Sequence, residues 1–131
     1  YRLPTAEEWE RISCGTAYKY SWETDSLIYF YPFIDYPWGM NFDSSYINCK
    51  KSDETKGVGK NQFIQGKSLD GLCHLLGNAL EWTLTNNNEK YILKGGGFTY
   101  SNYTDIFHNK IIFRLTPESR ENDTGFRLIK E

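Results

Sequence analysis

The chain has 131 residues, 24% of them charged and 39% hydrophobic, with a formal net charge of -2. That length makes one compact domain, and the charge balance gives no basic footprint for nucleic acid and no attraction to anionic lipid. No apolar run approaches the roughly 20 residues that a bilayer span requires. Nucleic acid and membrane insertion are therefore excluded from the expected partners.

Aromatic residues make up 17% of the chain, ten of them Tyr. They bury large areas, and Tyr keeps a polar handle, so the composition suits both a core and a recognition surface. Cys14, Cys49 and Cys73 form neither a CxxC pair nor a zinc-type spacing. Their odd number leaves the compartment unassigned. The chain opens on Tyr1 and not Met, which reads as a fragment or a processed product.

In chain order, the first element is a helix from Ala6 to about Cys14. Thr5 is a good N-cap residue, and Glu8 stands three positions later to complete a capping box. Ala6, Trp9 and Ile12 share one face at helical spacing, Glu7 reaches Arg11 one turn on, and Gly15 suits the C′ position. From Thr16 to Asp35 the helical period disappears in a Tyr- and Phe-rich stretch read as loop or short irregular strands. Tyr36-Pro37-Trp38-Gly39 is a turn, and Asn41 to Asn61 is polar and loop-like. Leu69 to Thr83 is apolar around a Gly-Asn turn. Leu80–Thr85 and Tyr91–Lys94 flank Asn86-Asn87-Asn88, which predicts a hairpin. Gly95-Gly96-Gly97 breaks the pattern, and Thr124 to Ile129 reads as a final strand.

Four landmarks in order carry a family resemblance. Arg2-Leu3-Pro4-Thr5-Ala6-Glu7-Glu8-Trp9-Glu10 resembles RLPTEAEWE, and Tyr36-Pro37-Trp38-Gly39 resembles YPWG. Gly77-Asn78-Ala79-Leu80-Glu81-Trp82-Thr83 resembles GN(V/A)WEWT. Lys94-Gly95-Gly96-Gly97, then Arg114 and Gly125-Phe126-Arg127, resemble RGGS…R…GFR. Together they resemble the formylglycine-generating enzyme, or sulfatase-modifying factor, family. The resemblance implies that residues 1–131 are the C-terminal portion of a single such domain, whose N-terminal half would be a partner segment. It also implies an α+β fold of the C-type-lectin-like type, loop-rich, with short strands and few helices.

The family's oxidase chemistry uses two cysteines that bind copper(I), for which soft thiolates are suited. Counted from Gly97, their positions are Tyr100 and Asp105 here. Copper is therefore argued against, no catalytic residue is named, and the balance leans away from an enzyme. Calcium is the cofactor that the resemblance still allows, through oxygen ligands. One site would use His74, Gly77, Ala79 and Glu81, and the other Asn48 and Cys49, with Asp53 a displaced acidic candidate. Trp9, Trp38 and Trp82 are expected as core anchors, Arg114 and Arg127 as loop ties to carboxylates. His108 shows no partner at catalytic spacing.

The segment from Phe98 to Asn109 lies where the resembled fold displays its cleft surface. Its Tyr, Ser, Asn and Thr content suits adaptable recognition of a protein or small-molecule ligand. The expected ligand-binding residues are Tyr100, Asn102, Tyr103, Asp105, Phe107 and His108. Two alternatives stand beside a non-catalytic binding domain. One is a divergent formylglycine-generating oxidoreductase. The other is a variable protein of a diversity-generating retroelement, since Lys, Gln, Glu, Trp and Met are all missing from this segment, as adenine mutagenesis of Asn codons would leave it.

Overall fold

A computed structural model describes residues 1–30, 34–49, 63–100 and 108–131, without the side chains at 17–20 and 29–30. Helix α1 spans Ala6–Cys14, as the capping signals require. The Glu8 N–H donates to Thr5 Oγ1 at 3.1 Å, and the Thr5 N–H donates back to Glu8 Oε2 at 2.7 Å. Gly15 closes the helix at a φ of 70°, its N–H donating to the Arg11 carbonyl. Arg2 locks the N-terminus from outside with a bidentate grip on the Glu8 carboxylate at 2.7 and 2.8 Å, and donates to Glu131 at 2.9 Å.

The Tyr-rich stretch after the helix forms two regular strands, β1 (Ala17–Ser21) and β2 (Ser26–Phe30), paired antiparallel in their own two-stranded sheet. The sequence predicts loop or short irregular strands here, and the strands that form are regular over five residues each. The main sheet has the order β5-β4-β3-β6, where β3 is Leu80–Asn87, β4 is Lys90–Lys94, β5 is Phe113–Leu115 and β6 is Thr124–Gly125. The predicted hairpin is β3–β4, but its turn lies later than expected. Asn86 and Asn87 pair with Tyr91 and Lys90, and the turn falls on Asn88 and Glu89 at φ 48° and 69°. Two central residues with positive φ match the twist of antiparallel strands.

The final strand is shorter than expected. Only Thr124 and Gly125 pair with β3, in parallel, and Ile129 then bridges Arg2. Between them Arg127 turns inward to an ion pair, which takes the backbone off the ladder.

Helix α1 packs across β3 and β4. The core gathers Trp9, Tyr36, Ile47, Cys49, Leu75 and Leu76, with Ile12, Trp38, Phe42, Leu72 and Tyr100 against it. Trp9 is fully buried, so Trp9→Ala would cost about 3–5 kcal/mol. Trp38 stacks on Tyr36 at 5.5 Å while staying half-buried. Trp82 departs from the expected core role, because it sits half-buried on the outer side of the sheet and lines a surface pocket. Among the described residues, no helix is long and apolar enough to cross a membrane.

Candidate functional site

The expected recognition segment is held at both ends by buried polar side chains. At its start, the Phe98 N–H donates to the Asn78 carbonyl at 3.1 Å and Phe98 itself is buried. Thr99 Oγ1 donates to Asp123 Oδ2. The same carboxylate fills the space beside Gly97, where any Cβ would fall inside van der Waals contact with it. The resembled motif carries Ser at this position. Here the glycine makes room for Asp123, which is 5% exposed and lies on the loop entering β6.

Tyr100 follows, its ring tilted against Phe113 at 5.1 Å and packed on the core. Burial pushes its phenol above the ordinary range, and the Asp123 and Glu121 charges add to the effect. Tyr100 occupies one of the two positions where the resembled chemistry needs a thiolate, and a half-buried phenol is no soft ligand for copper(I).

The far end is fixed by Asn109, 1% exposed. Its Oδ1 accepts from Ser13 on α1, and its Nδ2 donates to the Ile34 carbonyl at 3.2 Å and toward Cys14 Sγ at 3.7 Å. Its N–H donates to the Asp35 carbonyl at 2.9 Å. His108, beside it, is not partnerless. Its Nε2 lies 3.0 Å from Asp35 Oδ1, its Nδ1 accepts the Lys110 N–H at 3.1 Å, and its ring meets Tyr36 at 5.7 Å. Sequence spacing missed this pair because Asp35 comes from a distant loop.

Of the expected ligand-contact residues, Tyr100 and His108 thus stand at the two anchors. Asn102, Tyr103, Asp105 and Phe107 lie outside the described residues. The anchors Asp123, Ser13 and Asn109 were not singled out from sequence.

The expected metal residues cluster in part. Asn48 reaches the Gly77-Asn78 turn, where the Asn78 N–H donates to the Asn48 carbonyl at 2.7 Å and Asn48 Nδ2 donates to Asn78 Oδ1 at 3.0 Å. A side chain at Gly77 would strike the Asn48 carbonyl, and its φ of 71° favours glycine as well. Cys49 is buried in the core next to Asn48. Ala79 donates its N–H to the Gly77 carbonyl at 2.8 Å.

Glu81 is a hub of donors. Its Oε2 accepts from Trp9 Nε1 at 2.6 Å and Arg127 Nε at 2.5 Å, and its Oε1 accepts from Arg127 Nη2 at 2.6 Å. Arg127 also reaches the Cys73 and His74 carbonyls at 3.4 Å. His74 is buried with Nε2 unpartnered, and burial, then the nearby Arg127 charge, holds its pKa below the ordinary value. A calcium ion at residues 74–81 would have to displace the guanidinium from Glu81 or lie against it. The resemblance would use His74, Gly77 and Ala79 through their carbonyls, and those of His74 and Gly77 already accept from Arg127 Nη2 and the Ala79 N–H. This donor set, as arranged, fits Arg127 better than calcium.

Arg127 therefore ties the C-terminal segment to β3 as expected. Arg114 does not act likewise. It is exposed on β5, with no carboxylate in ion-pair range among the described residues.

A family model described as a sulfatase-modifying factor enzyme 1-like domain matches residues 1–131. Comparison with curated proteins gives no match. Among solved structures, Treponema denticola variable protein 1 superposes with a TM-score of 0.64 at 21% identity, covering 95% of this chain and 45% of that one. At that identity the likeness establishes the fold, which is C-type-lectin-like, and the chain spans under half the length of that neighbour.

Proposed function

We propose that this chain, which belongs to the sulfatase-modifying factor enzyme 1-like family, is a binding module whose ligand contacts come from residues 98–109 and not a formylglycine-forming oxidase. The observation that carries this reading is the paired anchorage of the segment. Asp123 holds Thr99 at one end, and Ser13 with the Ile34 carbonyl holds Asn109 at the other. Rigid ends on a packed frame are how folds present recognition loops without strain elsewhere. Tyr100 and Asp105 at the two thiol positions support the non-oxidase part.

Two assays on the whole chain test the reading together. Supplied with copper(I) and a cysteine peptide, the protein should consume no oxygen and form no aldehyde. On protein arrays, spots bound by the wild type should be lost when Asn102, Tyr103, Asp105 and Phe107 are all replaced by Ala. Aldehyde formation, or binding that survives the fourfold change, sinks it.

A second reading is favoured by one more observation: the fold is shared with a protein named as a variable protein, and the segment lacks the five residue types that adenine mutagenesis of Asn codons cannot produce. Sequencing the locus in several isolates tests it. Variation confined to adenines in codons 98–109, beside a near-identical template repeat, would support diversification, and invariant codons would end it. For calcium, thermal melts with and without chelator give the test. The Glu81–Arg127 pair leads us to expect no shift, whereas a lower melting temperature in chelator would restore the calcium proposal.

A further inference from the structure

On the side of the main sheet carrying Trp82, a pocket of about 420 Å³ opens between that ring and the loop that leads from β5 into β6. The loop is tied to itself at both ends. The Ser119 N–H donates to the Thr116 carbonyl at 3.0 Å, and Thr124 Oγ1 donates to the Glu121 carbonyl at 3.0 Å. Arg120 donates through one nitrogen, Nη1, to the Pro117 and Ser119 carbonyls at 3.4 and 3.2 Å. Asp123 turns inward to Thr99, while its neighbours Asn122 and Thr124 line the pocket. The walls are therefore fixed by the same loop that anchors the recognition segment.

The pocket holds hydrogen-bonding capacity that the fold does not use. Among the described residues, the Glu121 carboxylate, the Asn122 amide and the Trp82 indole N–H have no hydrogen-bond partner, and Arg120 keeps its Nε and Nη2 donors. Trp82 is steadied edge-on against Tyr91 at 6.3 Å, with 69° between the rings. With Pro117 it forms the apolar wall of the pocket, opposite the polar residues Ser119, Arg120, Glu121, Asn122 and Thr124. Arg120 and Glu121 balance each other in charge, so neither an anion nor a cation is the matched occupant.

We propose that this pocket binds a neutral sugar ring, with the Trp82 indole against the ring's C–H face and Arg120, Glu121 and Asn122 hydrogen-bonding its hydroxyls. A pyranose has the required duality, one apolar face edged by donors and acceptors. An amide and a carboxylate can each engage hydroxyls as acceptor, and the amide and guanidinium as donors. The volume lies within the roughly 300–1,000 Å³ of small-molecule sites. The site is separate from the 98–109 contacts and does not depend on them.

The test uses nitrogen-15 correlation spectra of the whole chain, titrated with methyl glycosides of glucose, galactose, mannose and N-acetylglucosamine. At least one should move the Trp82 indole resonance, assigned by its loss in Trp82→Phe. Asn122→Ala and Glu121→Gln change exposed residues and should leave the fold intact. Each should weaken that glycoside about tenfold, the worth of one charge-assisted or bidentate contact. The fourfold Ala variant in 98–109 should leave the titration unchanged, so failure of the proposed function and failure of this site are told apart. Silence of the Trp82 resonance with all four glycosides overturns the proposal, as does a shift that survives both Asn122→Ala and Glu121→Gln.

Discussion

Replacing Asn109 with Ala removes a side chain that is 1% exposed and joins α1 to the Ile34 backbone. The Ser13 hydroxyl, itself fully buried on α1, loses its acceptor, and the Ile34 carbonyl loses a donor at 3.2 Å. Each buried polar group left without a partner costs about 1–3 kcal/mol, and the small cavity adds to that. We expect Asn109→Ala to destabilise by about 3 kcal/mol, which lowers the melting temperature by about 10 °C in a domain of this size. Ser13→Ala alone should cost about 1–2 kcal/mol, since Asn109 keeps its bond to Ile34. The double variant should fall short of the sum, because the two side chains share one hydrogen bond. Urea melts give the energies, and hydrogen exchange at Asn109 and Ile111, whose N–H groups bond the Asp35 and His108 carbonyls, gives the locality. Additive energies, or an Asn109→Ala cost below about 1 kcal/mol, would refute the claim that this latch anchors the segment.

Lys94 and Glu10 should respond unequally. Lys94 has no exposed surface, is paired with Glu10 at 2.8 Å, and burial pushes its pKa down. Glu10→Gln strands a buried cation and should cost about 2 kcal/mol, whereas Lys94→Met leaves a carboxylate still open to water and should be neutral or stabilising, as chemical denaturation would record. Glu8 predicts an acid-side effect. Its pKa is lowered to about 2 by Arg2 and by the Thr5 N–H, so it stabilises the fold above its ordinary value of 4.5 and that contribution is lost as the pH falls from 4.5 to about 2. The stability gap between wild type and Glu8→Gln should be full at neutral pH and close toward pH 2, which melts across that range would follow. Gly97→Ser restores the residue of the resembled motif but collides with Asp123. It should destabilise by about 1–3 kcal/mol in a urea melt, and less in an Asp123→Ala background.

What was legible in the sequence was local. Helix α1 could be read to the residue because Thr5, Glu8 and Gly15 all act within one turn of its ends. The β3–β4 hairpin could be read too, but Glu89 gives no sign of a positive φ, so the turn was placed among the asparagines. Arg127 was foreseen as a tie to a carboxylate, and Glu81 is that carboxylate. The anchors were hidden by distance along the chain. Ser13 and Asn109 are separated by 96 residues, and nothing in either neighbourhood marks the other. The sequence predicts Trp82 as a core anchor, because buried aromatics dominate small cores. The sheet instead places it on its outer side, where the pocket lies.

If residues 98–109 are a recognition segment, the frame that holds Thr99 and Asn109 does not depend on residues 101–107. Display of this chain with positions 101–107 randomised, sorted first for folding and then for binding to an unrelated protein target, tests it most directly. Most variants should fold, and target-specific binders should emerge with Ser13, Asn109 and Asp123 unchanged. A library that unfolds, or that folds and yields binders only through changes elsewhere, would contradict it.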